Sequence, residues 1–256
     1  MNYSNIVLYT SKINEVFNLY RNFGENDYIG ESVTQLEHAM QCAHYATEEF
    51  SDNAAIILGA FLHDVGHMVL LKRDAEGINI ENDYNNLGAL NHETVGYNYL
   101  TDLGFPEEVT SLGRNHVLTK RYLVSKYEDY YNKLSDASKQ TLEFQGGKMT
   151  PDEMKLFEND SNFNDSLKVR NYDDIGKNIN TTIPTLETFK SLINKYLDDN
   201  IYKDYNNSLK ENGYILIKNY FKPDEIFFIK HFKQYLQKLK EEKDKYMIYY
   251  ETIDNK

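Results

Sequence analysis

The chain has 256 residues, with 28 lysines and arginines against 40 aspartates and glutamates, a net charge of −12 and a pI near 5.1. That length holds one sizeable core, or one domain with an appendage, and the acidic balance argues against nucleic acid or an anionic membrane as the main partner. Cys42 is the single cysteine, which excludes an internal disulfide and favours a reducing compartment. No segment reads as apolar enough to span a bilayer. Glu15, Arg21, Glu25 and Asp27 near the start are unlike a signal peptide, so a cytoplasmic protein is expected.

Apolar residues recur mainly at helical spacing, and there are only four prolines. A helix is predicted over 11–23. Another runs from Thr34 to Phe50, where Thr34 and Glu37 form a capping box and Leu36, Ala39, Met40, Ala43 and Ala46 make the buried stripe. Asp52 and Asn53 cap a helix from Ala54 to Leu71 that is apolar nearly all round, and therefore central. Helices follow over 88–103 and 106–118, then Tyr122 to Leu134 and Ser138 to Glu143, the latter ended by Gly146-Gly147. Thr150-Pro151-Asp152-Glu153 is a helix start, with proline at the first position and acids in the first turn. Thr185 to Asp198 is the last helix of this block. Beyond about residue 205 the pattern changes: Gly213 to Phe221 reads as a strand, and a charged helix runs over about 225–243. The expectation is an all-α bundle over 1–204 with a short β-α extension over 205–256.

The chemistry centres on His63-Asp64, set in Phe61-Leu62-His63-Asp64-Val65-Gly66-His67. Adjacent ionisable residues inside an apolar stretch are costly to bury unless a charge compensates them, and a metal ion is the usual one. His38 lies upstream, and His92, His116 and Asp173 downstream. Of seven histidines in the chain, five belong to this set once His67 is counted. His63 and His67 are four apart on one helix, so they share a face, and Asp64 lies about 100° round from His63. Its two carboxylate oxygens suit it to bridge two metals, and side chains converging from several helices are how bundles build dinuclear sites. The ligand types suit iron, manganese or zinc alike. His44 and His231 are assigned no role.

These residues match a known pattern. His38, His63-Asp64 and Asp173 resemble the HD-domain metal proteins, most of which are phosphohydrolases. The match extends further, through Tyr28-Ile29-Gly30-Glu31, His92-Glu93, His116-Val117-Leu118-Thr119-Lys120-Arg121-Tyr122-Leu123, Leu142-Glu143-Phe144-Gln145-Gly146-Gly147 and Arg170-Asn171-Tyr172-Asp173-Asp174. Over about residues 24–195 it resembles the HD-domain mixed-valent diiron oxygenases that cleave carbon–phosphorus bonds with O2. The resemblance implies that His38, His63, Asp64 and Asp173 hold one iron, and that His92, His116 and a bridging Asp64 hold the other. It implies that His67, Lys120, Ser138 and Arg170 face a substrate phosphonate. Tyr28 would cap an iron until substrate arrives, and Glu31 would pair with an amine on the substrate. The implied substrates are 2-amino- or 2-trimethylammonio-1-hydroxyethylphosphonate, giving phosphate and glycine or glycine betaine.

Leu209 to Ile226 resembles the opening of a phytanoyl-CoA-hydroxylase-type 2-oxoglutarate oxygenase. A fused or separate hydroxylase partner is therefore expected, although the His-x-Asp…His motif of that fold is absent from this chain. Two rival readings remain. One is a metal-dependent phosphohydrolase acting on a phosphoester or nucleotide through activated water. The other is a metal-free interaction domain.

Overall fold

The structure is a computed structural model that describes residues 14–28, 30–78, 91–179, 181 and 185–191. The described residues are helical and contain no strand beyond an isolated antiparallel bridge between Asp27 and Thr34. Helix α1 spans 14–23. It is followed by α2 (Gln35–Glu49), α3 (Ala54–Leu62), α4 (Val65–Ala75), α5 (His92–Asp102) and α6 (Glu107–Lys126). Then come α7 (Glu128–Lys133), α8 (Asp136–Phe144), α9 (Pro151–Glu158) and α10 (Phe163–Ile175).

Local signals set the helix starts. Thr34 accepts from the Glu37 amide while Glu37 reaches back to the Thr34 amide, and Thr150 with Glu153 repeats this ahead of Pro151. Asn53 Oδ1 accepts from the Ile56 amide and opens α3. Helix α3 then buries Ile56, Ile57, Leu58, Ala60, Phe61 and Leu62 against α2, α6 and α10. Each such large side chain contributes about 1.5–3 kcal/mol by leaving water. Phe61 stacks on Tyr20 at 4.5 Å and on Phe189 at 5.4 Å, and the Tyr20 hydroxyl donates to the Phe61 carbonyl at 2.6 Å. This ties α1 and the 186–191 helical segment to the core.

Several expectations are corrected. The apolar stretch is not one helix: α3 ends at Leu62, and Asp64 sits at φ −103°, ψ 11°, outside the helical basin. The break falls between the two histidines: His63 ends α3 and His67 lies in the first turn of α4. The stretch Ala54–Ala75 does have the length and a mean hydropathy of 1.8 suited to a membrane span, contrary to the sequence reading, but 78% of that window is buried inside the protein. The 106–118 helix continues to Lys126, because no glycine or proline falls between Leu118 and Lys126 and Val117, Lys120, Tyr122 and Val124 are buried along it. The Tyr122–Leu134 helix is therefore split at Tyr127, whose backbone is extended. Helix α10 lies where no helix is predicted: its buried residues are Ser166, Val169, Arg170, Tyr172 and Asp173, so Val169 and Tyr172 are the only apolar signal on its inner face. The expected strand and helix after residue 205, His231, and the boundary at 204 lie outside the described residues.

Candidate metal centre

Helices α2, α5, α6 and α10 and the α3–α4 kink each deliver side chains to one point in the core. His38 comes from α2, His63 and Asp64 from the kink, His92 from the first turn of α5, His116 from α6 and Asp173 from α10. None of the six is more than 6% exposed. Close approach of α4 and α5 is made by Gly66, where a Cβ would lie 1.9 Å from the His92 carbonyl oxygen.

The donor atoms form two nests that share Asp64. In the first, His63 Nε2 lies 3.2 Å and His38 Nε2 3.6 Å from Asp64 Oδ2. The two imidazole nitrogens are 3.2 Å apart, and His38 Nε2 is 3.5 Å from Asp173 Oδ1. In the second, His116 Nε2 and His92 Nε2 lie 3.3 and 3.5 Å from Asp64 Oδ1, and 3.0 Å from each other. Donors about 2.1 Å from one ion stand about 3.0 Å apart at neighbouring coordination positions, so both nests have nearly the spacing that ion binding requires. Each oxygen of Asp64 faces a different nest.

The outer ring nitrogens explain why an ion fits. His38 Nδ1 lies 2.9 Å from the Gly176 carbonyl, His63 Nδ1 2.8 Å from the Ala60 carbonyl, and His116 Nδ1 bonds the Gly113 carbonyl. A carbonyl only accepts, so these Nδ1 atoms carry protons, and each ring when neutral points its Nε2 lone pair inward. Glu93 stands 3.7 Å behind His92 Nδ1. Asp64 Oδ1 is buried and accepts no well-formed hydrogen bond among the described residues. Facing lone pairs and an orphaned carboxylate oxygen are what bound cations resolve.

Electrostatics agree. Burial, aided by the charge of His63, lowers the pKa of His38 to about 4, and burial lowers that of His116 to about 3. Burial opposes charge on His63 too, but the adjacent Asp64 carboxylate outweighs it and holds the ring at about 9. Burial likewise opposes the charges of Asp64 and Asp173, yet His63 and Arg170 respectively keep both carboxyls below the usual range. Without metal, one proton on His63 balances part of the double negative charge; a cation would take its place.

A cavity of about 370 Å³ opens onto the shared carboxylate. His67 lines it, its ring stacked on His92 at 3.9 Å, and burial holds its pKa well down. Tyr28 stacks on His38 at 4.0 Å and points its hydroxyl at Asp173 Oδ1, 3.4 Å away. Lys120 is 3% exposed and donates to Thr141 Oγ1 at 2.9 Å, with the Ser138 carbonyl at 3.4 Å. Among the described residues no carboxylate is within ion-pair distance of it, and burial and Arg170 lower its pKa to about 7. Arg170 also lines the cavity, but its donors go to Asp173 Oδ2 at 2.6 Å, to Asp174, and to the Tyr130 hydroxyl at 2.9 Å. Arg170 therefore orients a candidate ligand as well as facing the space. Glu31 is in the same wall, with Lys177 Nζ 3.2 Å away.

A profile of the HD domain matches residues 35–156. Over 187 residues, 73% of this chain, the sequence is 44% identical to an uncharacterised protein of Acanthamoeba polyphaga mimivirus, of which 82% is covered. Over the same share it is 35% identical to hydroxymethylphosphonate dioxygenase of Gimesia maris, covering 89% of that protein. The chain belongs to the HD-domain family. A further HD-domain relative is [1-hydroxy-2-(trimethylamino)ethyl]phosphonate dioxygenase (glycine-betaine-forming) of Leisingera caerulea, 34% identical over 68% of this chain and 85% of that protein. The chain is an enzyme with a metal-binding site, and the all-helical fold read from its sequence is the one observed.

Every HD-domain residue singled out from sequence and described here reaches the centre or its cavity. Sequence reasoning passed over Cys42, whose thiol donates to the Tyr172 carbonyl at 3.3 Å and lies 3.7 Å from His38 Nε2. It also passed over Thr141, which holds Lys120, and Lys177, which holds Glu31. The spacing of Cys42 one turn after His38 was available as a signal; nothing local marked Lys177. His44 lies at the surface, 3.5 Å from Glu48.

Proposed function

We propose that this chain is a diiron oxygenase that uses O2 to cleave the C–P bond of a small 1-hydroxyalkylphosphonate. The observation that carries the reading is the pairing of the two donor nests with Lys120, a buried cation that has no carboxylate partner among the described residues and faces the same cavity. An uncompensated buried ammonium beside metals is a seat for an anion. The phosphonate dioxygenases among its relatives support the choice of anion.

Asp64 would hold both irons, with His38, His63 and Asp173 as the further ligands of one and His92 and His116 as those of the other. When bound, the irons supply the electrons that activate O2 and the Lewis acidity that binds the substrate hydroxyl. Lys120 and the Ser138 hydroxyl receive the phosphonate, with Arg170 and His67 on the adjoining walls. The Tyr28 hydroxyl, close to Asp173, would stand over the first site until substrate occupies the cavity. The reaction balances with one O2 and no external reductant: the hydroxylated carbon leaves as a carboxylate, phosphorus as phosphate, with release of one proton. The class includes 2-amino- and 2-trimethylammonio-1-hydroxyethylphosphonate as well as hydroxymethylphosphonate. Hydroxylation of an alkylphosphonate at C1 is the reaction that supplies such a substrate. We infer a reducing, cytoplasmic setting, in which Cys42 is a free buried thiol.

The test is phosphate release from hydroxyphosphonates by anaerobically prepared iron-loaded protein, with and without O2. Release that requires O2 is expected. Equal release without it would favour a phosphohydrolase.

A further inference from the structure

Lys177 follows α10 and lines the cavity. Its ammonium is 3.2 Å from Glu31 Oε1 and 3.5 Å from Ser138 Oγ, and it lies 5.7 Å over the Tyr28 ring. Glu31 and Lys177 are equally buried, each with a side chain 14% exposed. Among the described residues Lys177 has no second carboxylate within ion-pair distance. Glu31 Oε1 accepts no well-formed hydrogen bond among the described residues, so the contact is one of charge alone, and the carboxylate expected to receive a substrate amine already faces a cation of the protein.

We infer that Lys177 is a specificity-determining residue that reserves Glu31 for itself and selects 1-hydroxyalkylphosphonates whose substituent carries no positive charge. The inference rests on the oxygenase reading for the reaction but on the Glu31–Lys177 pair for the choice. An incoming ammonium group has to displace Nζ from Glu31. It then leaves two cations competing for one carboxylate in a space that also holds Lys120. Breaking a largely buried pair strands a charge, and like charges brought together in such a space repel strongly. A neutral substituent leaves the pair intact. The ammonium of Lys177, beside Ser138, then adds to the positive field that holds the phosphonate.

The experiment compares hydroxymethylphosphonate and 1-hydroxyethylphosphonate with 2-amino-1-hydroxyethylphosphonate on the iron-loaded full chain. It reads kcat/KM from phosphate release, and dissociation constants from calorimetry under anaerobic conditions. The natural chain is expected to favour the uncharged compounds by roughly tenfold or more. Lys177→Met should shift that ratio by roughly tenfold toward the amine, because Glu31 is freed. Lys177→Arg should keep the original preference, and Glu31→Gln/Lys177→Met should restore it. Iron content and melting temperature of each variant separate a lost fold from a changed preference, and the arginine variant carries the comparison if the methionine variant does not fold. A natural chain that prefers the amine, or a ratio unchanged by Lys177→Met, overturns the inference. If no compound is turned over but the binding ratio behaves as expected, the oxygenase reading fails and the selectivity stands.

Discussion

Asp64 is the residue on which the centre turns, because its Oδ1 faces His92 and His116 while its Oδ2 faces His38 and His63. Asp64→Ala should therefore lose both metals together, measured as iron per chain after anaerobic reconstitution; a variant keeping full iron content would contradict the bridge. Lys120 gives a pH prediction with a defined sign. Its pKa is lowered to about 7 by burial and Arg170, with Lys177 acting the same way and Asp173 and Asp64 opposing. A lowered lysine pKa means the ammonium is present below about 7 and lost above it, so phosphonate affinity should fall as pH rises through that value. Lys120→Arg stays charged and should move the alkaline limb upward. Lys120→Ala should bind phosphonate roughly ten- to a hundredfold more weakly, the loss of one charge-assisted contact of about 1.5–3 kcal/mol, with iron content unchanged. An alkaline limb identical in Lys120→Arg would show that another group titrates. The residue scale was the most legible in sequence, because His63-Asp64 in an apolar stretch has few structural uses. Lys177 was not legible, because a lysine's partner across 146 positions leaves no local trace (177 against Glu31).

At the scale of elements, the turn at His63-Asp64 is what lets one short segment contribute to both donor nests. Periodicity read the Ala54–Leu71 stretch as continuous, since apolar residues run through it without a proline. The break depends on the backbone of a single residue and on packing against α5. Gly66 is the element-scale test. A Cβ there meets backbone, the His92 carbonyl at 1.9 Å, and not a side chain able to turn away. Gly66→Ala should push α5 outward, lower the stability of the fold and displace His92. Iron at the second site should then be lost before iron at the first, as counted by metal analysis and melting temperature together. Unaltered melting and full iron would mean the two helices do not approach as closely as described. Helix α10 illustrates the opposite case, a helix whose buried face mixes Val169 and Tyr172 with the polar Ser166, Arg170 and Asp173 that line the candidate centre. Its function hid it from a reading based on apolar spacing.

At the scale of the molecule, α2, α5, α6, α10 and the α3–α4 kink bring their candidate ligands to one centre, so on the proposed reading metal binding would couple to folding. An ion at a hundred times its dissociation constant stabilises the native state by about 2.7 kcal/mol, and a domain of this size gains about 2–4 °C per kcal/mol. Chelation should lower the melting temperature by roughly 5–10 °C; an unchanged melt would mean the charges at the core are satisfied without metal. The helical class and the course of most helices were readable from caps and apolar spacing, whereas the way the helices converge was readable only through the family resemblance. The most direct test of the whole account is isotopic. Iron-loaded protein is given hydroxymethylphosphonate under ¹⁸O2 in unlabelled water, and the products are weighed by mass spectrometry. The account predicts ¹⁸O incorporated from O2 into the products, with no phosphate formed when O2 is withheld. Phosphate that forms without O2 and takes its new oxygen from water would contradict it.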